Sequence, residues 1–271
     1  MIKQIVILLP RRYFSHDVAR QAAALAYYLL FSLFPLLILV SSLIGTLFSD
    51  TPTVPDSLAA VLPESVLAIA ETYLKYVSEH VSRSMLWFSS VFSVWFPLRA
   101  TRCLLLSVRT AYGLGKPKHK LRYHFRAVFV TVLLIFCLVF SLLLLSLGSR
   151  AAQEMRTVWS LPTYFPGLWG ILRFLFLGAV IFAVVFVLYA AAQDERCPVR
   201  SLLPGAALAT PAWLIVSLGY SFYAEHISNY SAVYGALGAV VVLLIWLYLT
   251  AITLIMGAEC NHILLQTRAG A

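Results

Sequence analysis

Trp95, Arg99, Arg102 and Arg109 stand at i, i+4, i+7 and i+14, a spacing that sets four side chains along one helix face. Arg99 follows Pro97 well inside an apolar run. A charge in hydrocarbon is costly and turns to a bundle interior, a partner or water. A guanidinium fork grips an oxyanion with two parallel hydrogen bonds. The stripe therefore predicts reception of an anionic group, a phosphate head group or a carboxylate. The competing reading has long basic side chains snorkelling to the phosphates of the cytoplasmic leaflet. That reading is the expectation for Arg109, both stand for Arg102, and Arg99, the deepest, is assigned to binding.

Glu259 follows the last apolar run, with Asn261 and His262 close behind. It is expected at the level of the arginines. Pairing with Arg102, proton coupling, or a plain boundary position beside a helix end would each explain it. Tyr28, Ser32, Pro35 and Ser42 share one face of the first run. Pro35 frees a backbone carbonyl, which in lipid must be satisfied by a neighbour or water. That face is expected to look inward, lining a cavity or bonding another helix. Arg99, Arg102, Trp95, Glu259, Tyr28 and Ser32 are thus the candidate substrate-binding residues.

No catalytic or metal set stands out. Metal-assisted hydrolysis needs clustered histidines and carboxylates, and His16, His80, His119, His124, His226 and His262 are scattered. Asp194 and Glu195 are adjacent, so they point different ways on a helix, and a solvated turn accounts for them. Cys103, Cys137, Cys197 and Cys260 lack metal or redox spacing and read as small apolar residues. Gly115-Lys116 is followed by Pro117, with no glycine five residues before Gly115, so the phosphate-loop pattern fails. No ATP and no cofactor is expected.

The elements that carry these residues follow from composition. Hydrophobic residues make up 61% of the 271 and charged residues 11%, against about 25% charged in a soluble domain. Lipid must solvate much of this chain. Six runs, at 26–48, 85–106, 127–147, 170–192, 202–223 and 234–258, are each long enough to cross about 30 Å of hydrocarbon. They do not alternate as barrel strands would. The fold class is all-α: one integral membrane domain, 1–271, with six transmembrane helices.

Charge sets the direction. Lys3, Arg11, Arg12 and Arg20 precede the first run, Arg109, Lys116, Lys118, Lys120, Arg122 and Arg126 follow the second, and Arg196 and Arg200 follow the fourth. The opposite loops hold fewer cations and carry Asp50, Asp56, Glu64, Glu71 and Glu79. By the positive-inside rule both termini are cytoplasmic. The same bias accounts for most of the +9 net charge without nucleic acid as a partner; the basic loop 113–126 is suited to anionic membrane lipid instead. Residues 57–81 have apolar positions at helical spacing and predict short amphipathic helices in the first periplasmic loop. Residues 13–24 are expected to lie along the inner interface.

Three stretches resemble the YihY/BrkB family of bacterial inner-membrane proteins: AAALAYYLLFSLFPLLILVSSLIG (22–45), RSLLPGAALAT (200–210) and YSAVYGALGAVVVLLIWLYLTAITLIMGAECN (230–261). With the basic loop they sample almost the whole chain in the expected order. The resemblance implies a six-helix membrane domain of poorly defined activity, linked in name to virulence and in some members to passage of lipid-like molecules. One departure is Arg109, which stands in RTAYG where the family places an asparagine, so no role of that asparagine carries over. The family has also been labelled ribonuclease BN, which the scattered histidines disfavour. The leading expectation is a transporter or flippase of an anionic, lipid-like substrate. The alternative is a non-transporting membrane factor that binds a partner or supports an envelope complex.

Overall fold

In hydrocarbon a backbone must satisfy its own hydrogen bonds within the segment, and the computed structural model follows that demand throughout. The structure describes residues 2–47, 83–158, 165–194, 199–226 and 236–269. Among them are seven helices and no strand: α1 (Ile2–Ser15), α2 (Val18–Leu47), α3 (Arg83–Ala111), α4 (Lys120–Val158), α5 (Phe165–Ala192), α6 (Val199–His226) and α7 (Ala236–Ala269). The described part of each of the six expected runs falls on one of α2 to α7. Four stretches of described residues are long and apolar enough to cross a membrane: Trp87–Ala111, Leu175–Ala192, Ser201–Tyr223 and Val240–Thr267. The amphipathic helices expected at 57–81 lie outside the described residues.

Two boundaries move. The interfacial segment expected at 13–24 is divided: Tyr13 to Ser15 close α1, and residues 18–24 open α2. Between them Asp17 has φ +54°, a left-handed conformation that aspartate tolerates better than most residues, and its carboxylate holds Arg20 at 2.5 Å. Val18, Ala22 and Leu25 are buried, so α2 packs from its first turn and hydropathy alone places its start too late. At the other end, α7 runs beyond residue 258 to Ala269. Glu259, Asn261 and His262 therefore sit inside a helix rather than after one.

By internal contacts the chain forms two units. The first comprises Met1–Phe31, Phe96–Leu133 and Ile181–Ala271, and the second Ser32–Trp95 and Leu134–Val180. In the first unit, Ala26 and Leu30 of α2 and Leu247 of α7 form an apolar cluster, with Leu243, Trp246 and Tyr248 packed against it. Helices α6 and α7 lie close where glycines meet the facing helix, Gly257 against Ala209 and Gly205 against Asn261, and Ala206, Ala251 and Ala258 are buried along them. Membrane helices associate in this way where no bulk hydrophobic force draws them together. In the second unit aromatic rings make the contacts, with Phe88 on Phe92 at 4.1 Å and Phe140 of α4 on Phe176 of α5 at 6.1 Å. Both units expose large apolar side chains, among them Trp87, Val91, Phe129, Leu175, Ile215 and Leu218, as lipid-facing surfaces do.

Candidate functional site

At the basic end of the first unit, α3 stops in a glycine cap. Gly113 has φ +68°, its N–H donates to Thr110 O at 2.9 Å, and the Leu114 N–H reaches back to Arg109 O at 2.9 Å. This Schellman pair closes the helix and fixes Arg109 one turn before its end. Arg109 is 1% exposed. It donates to Asp194 Oδ1 and Oδ2 at 2.9 and 2.8 Å, to Ala192 O at 2.8 Å, and twice to Gly115 O at 2.8 and 3.2 Å. All five guanidinium N–H donors are used. Arg109 therefore does not snorkel, and Asp194 is not in a merely solvated turn. The physical reason is the end of α5 at Ala192, whose free carbonyls call for a cation. The Arg109 fork and the Lys118 backbone N–H hold the Asp194 carboxyl below its ordinary range, against a smaller opposing effect of burial.

Glu259 has 0% side-chain exposure. Its partners come from the α1 region: Arg12 Nη1 donates to Oε2 at 3.0 Å and His16 Nδ1 lies 2.5 Å from Oε1. Arg12 also donates to Gln266 Oε1 at 2.9 Å. Of the readings open for Glu259, pairing with Arg102 and a plain boundary position both give way, because the turn at Asp17 brings α1 onto α7 and places a guanidinium and an imidazole on the buried carboxylate. Arg12 and His16, four residues apart before a long apolar helix, are the signal that sequence reasoning passed over.

Asn261, two residues on, ties together two of the stretches that carry the family resemblance and the end of α3. Its Oδ1 accepts from the Gly205 N–H at 3.0 Å and its Nδ2 donates to Tyr112 Oη at 2.6 Å. Nearby, Tyr189 Oη donates to Leu254 O at 2.7 Å. The approach leaves no room for a methyl group. A Cβ on Gly205 would lie 2.4 Å from Asn261 Cβ, and one on Gly257 would lie 2.4 Å from Tyr189 Oη and 2.5 Å from Ala209 Cβ. Gly257→Ala is expected to destabilise the detergent-solubilised protein by about 1–3 kcal/mol through overpacking, read as a lower temperature for loss of the monodisperse chromatographic peak. An unchanged temperature would show that α6 and α7 separate freely.

The arginine stripe is split. On an ideal helix, with about 100° per residue, Arg99 and Arg109 stand about 80° apart around the axis. Trp95 and Arg99 are exposed, Arg102 is half-buried and Arg109 is buried. The exposed face of α3 continues through Trp87, Val91 and Val94 on one side and Leu106 on the other. Arg102 contacts His124 of α4 through Nη2 and Nε2, and Tyr123 Oη donates to Arg102 O at 3.1 Å. On α2, Ser32 and Pro35 are buried and Tyr28 is half-buried, whereas Tyr27, Phe31 and Phe34 are exposed. Of the expected site residues, Arg99, Arg102 and Trp95 share a helix face, Glu259 belongs to the α1–α7 clasp, and Tyr28 and Ser32 sit on the packed side of α2. Among the described residues, no group of three or more His, Cys, Asp or Glu stands together to hold a metal ion.

Known proteins bear on this arrangement. The sequence profile of the family described as virulence factor BrkB matches residues 9–271. A protein of Bacillus subtilis named ribonuclease-like protein YfkH is 29% identical over 253 residues, which are 93% of this chain and 92% of that protein. A UPF0761 membrane protein of Pseudoalteromonas atlantica is 33% identical over 79 residues, 29% of this chain and 26% of that protein. One of Alkalilimnicola ehrlichii is 40% identical over 77 residues, 28% of this chain and 17% of that protein. Those two matches thus span about a quarter or less of the relatives' lengths. No solved structure matches.

Proposed function

The chain belongs to the virulence factor BrkB family, and on that footing we propose that this multi-pass membrane protein moves or flips an anionic, lipid-like molecule across a bacterial inner membrane. In this reading helices α2 to α7 all span the bilayer and both termini lie in the cytoplasm, as the distribution of lysine and arginine argues. The protein makes and breaks no bonds, has no ATPase of its own and needs no cofactor. The ribonuclease-like name of the Bacillus subtilis relative is not followed in this reading: among the described residues, His16 faces Glu259 and His124 faces Arg102.

One observation carries the transport reading. Arg99 lies twelve residues from either end of the stretch Trp87–Ala111 and is exposed on the same face as Trp95. About 18 Å of helix extends on each side of it. A guanidinium exposed at that depth offers its planar fork to an anionic head group arriving along the α3 face. The head group then has a charged station midway through the membrane while its acyl chains remain in lipid.

The test is head-group translocation in vesicles reconstituted with the purified protein, followed by quenching of a fluorescent anionic phospholipid from outside. The parent is expected to accelerate exchange, and Arg99→Ala to lower the rate about tenfold or more while inserting normally. A parent no faster than empty vesicles, or an Arg99→Ala variant equal to the parent, would overturn the reading. The second reading, a non-transporting factor that binds a protein partner, is favoured by Ile7, Pro10, Arg11 and Phe14, which are exposed along one face of α1. Inactive vesicles together with a defined protein crosslinked at position 14 would favour it.

A further inference from the structure

We propose that the Arg102–His124 couple is a seat for the phosphate oxyanion of a lipid head group. The proposal gives the transport reading above its substrate chemistry and rests on that reading for its role in passage, although binding can be measured alone.

Among the described residues, the carboxylates at the basic end of the first unit are engaged away from this couple. Asp17 is taken by Arg20, Asp194 by Arg109, and Glu259 by Arg12 and His16. Among the described residues, the hydrogen-bonding contact of the Arg102 guanidinium is with the imidazole of His124. Its Nε–H is shielded from solvent and has no hydrogen-bond partner. A buried donor in that condition is uncommon and calls for a reason, and a guanidinium half-withdrawn from water without an anion is costlier still. A guanidinium N–H can only donate, so His124 Nε2 stands as the acceptor in this contact. The Nη hydrogens of the half-buried Arg102 that do not meet His124 remain as charged donors, a group suited to a tetrahedral oxyanion.

The surroundings select a lipid as the carrier. Arg102 falls within the apolar stretch Trp87–Ala111. Leu106, one turn along α3, and Leu121, Phe125 and Val128 of α4 are all exposed beside the couple. Such a rim favours acyl chains and disfavours a free, fully hydrated ion. Arg99, one turn before Arg102 on the same face, continues the path toward the middle of the helix.

The test is binding of phosphatidic acid to the full-length protein in nanodiscs, measured by native mass spectrometry, with diacylglycerol of the same chains as the phosphate-free control. Phosphatidic acid is expected to bind at least about tenfold more tightly than diacylglycerol. Arg102→Ala and His124→Ala should each weaken it about tenfold. Arg102→Lys, which keeps the charge and loses the fork, should fall between. Arg122→Ala removes an exposed cation from α4 outside the couple and should change binding less than about twofold. Equal affinity in Arg102→Ala and parent overturns the seat. Equal losses in Arg102→Ala and Arg122→Ala overturn it too, by reducing it to general charge attraction. Inorganic phosphate displacing the lipid at equal concentration overturns the lipid assignment. Binding that depends on Arg102 and His124 without any translocation refutes transport and leaves the seat standing. Translocation that persists when Arg102→Ala binds as the parent does refutes the seat alone.

Discussion

Arg12→Ala is expected to cost about 3 kcal/mol or more of stability, clearly more than Glu259→Gln, although both break the same ion pair. The asymmetry follows from burial. Arg12 and His16 have 18% and 30% side-chain exposure, while Glu259 has none. Losing the carboxylate leaves the Arg12 guanidinium and the His16 imidazole, both of which can turn to water. Losing Arg12 leaves a carboxylate that water does not reach, with His16 Nδ1 as its remaining side-chain partner from α1 and the turn that follows it. Glutamine at 259 keeps an acceptor for Arg12 and carries no charge to desolvate. It follows that the double variant Arg12→Ala/Glu259→Gln should be more stable than Arg12→Ala alone. Thermal unfolding of the four proteins in one detergent, arranged as a double-mutant cycle, measures this directly. If the double variant is no more stable than Arg12→Ala, the penalty lies in lost packing of α1 and not in the stranded charge.

What could be read from the sequence divides along a physical line. Lipid imposes a one-dimensional rule, an apolar run of sufficient length, so the described part of every expected run lands on a helix. The rule is blind to polar residues that face protein. Val18 to Leu25 surround Arg20 and Gln21 and were excluded from the first run on hydropathy, yet Val18, Ala22 and Leu25 are buried. Glu259 and Asn261 look like residues beyond a helix end for the same reason, yet both are wholly buried within α7. Helical periodicity likewise orders Trp95, Arg99, Arg102 and Arg109 on one side of α3. It does not say where that side looks, and a spread of about 80° is enough to take the stripe from exposed Arg99 to buried Arg109. Partners were the least legible part. Arg12 is 247 residues from Glu259, and Arg109 is 85 from Asp194. Nothing in the local pattern around any of them names the other.

The same buried end of the first unit yields the second large effect. Arg109→Ala is expected to lose about 3 kcal/mol, the low end for breaking a buried pair, because Asp194 retains 20% side-chain exposure and can draw on water. Arg109→Lys should recover little. A lysine ammonium is a single point, and it cannot serve Asp194, Ala192 O and Gly115 O together as the fork does. The carboxyl supplies a check independent of packing. Arg109 lowers the Asp194 pKa beneath its usual 3.8. A lowered folded-state value stabilises the protein above the unfolded-state pKa, and that contribution disappears as pH falls through the folded value. The stability difference between parent and Arg109→Ala should therefore be full near pH 7 and should narrow below about pH 5. A difference that stays constant into acid would mean that Arg109 holds the end of α5 through its carbonyl contacts alone, with the Asp194 charge contributing nothing.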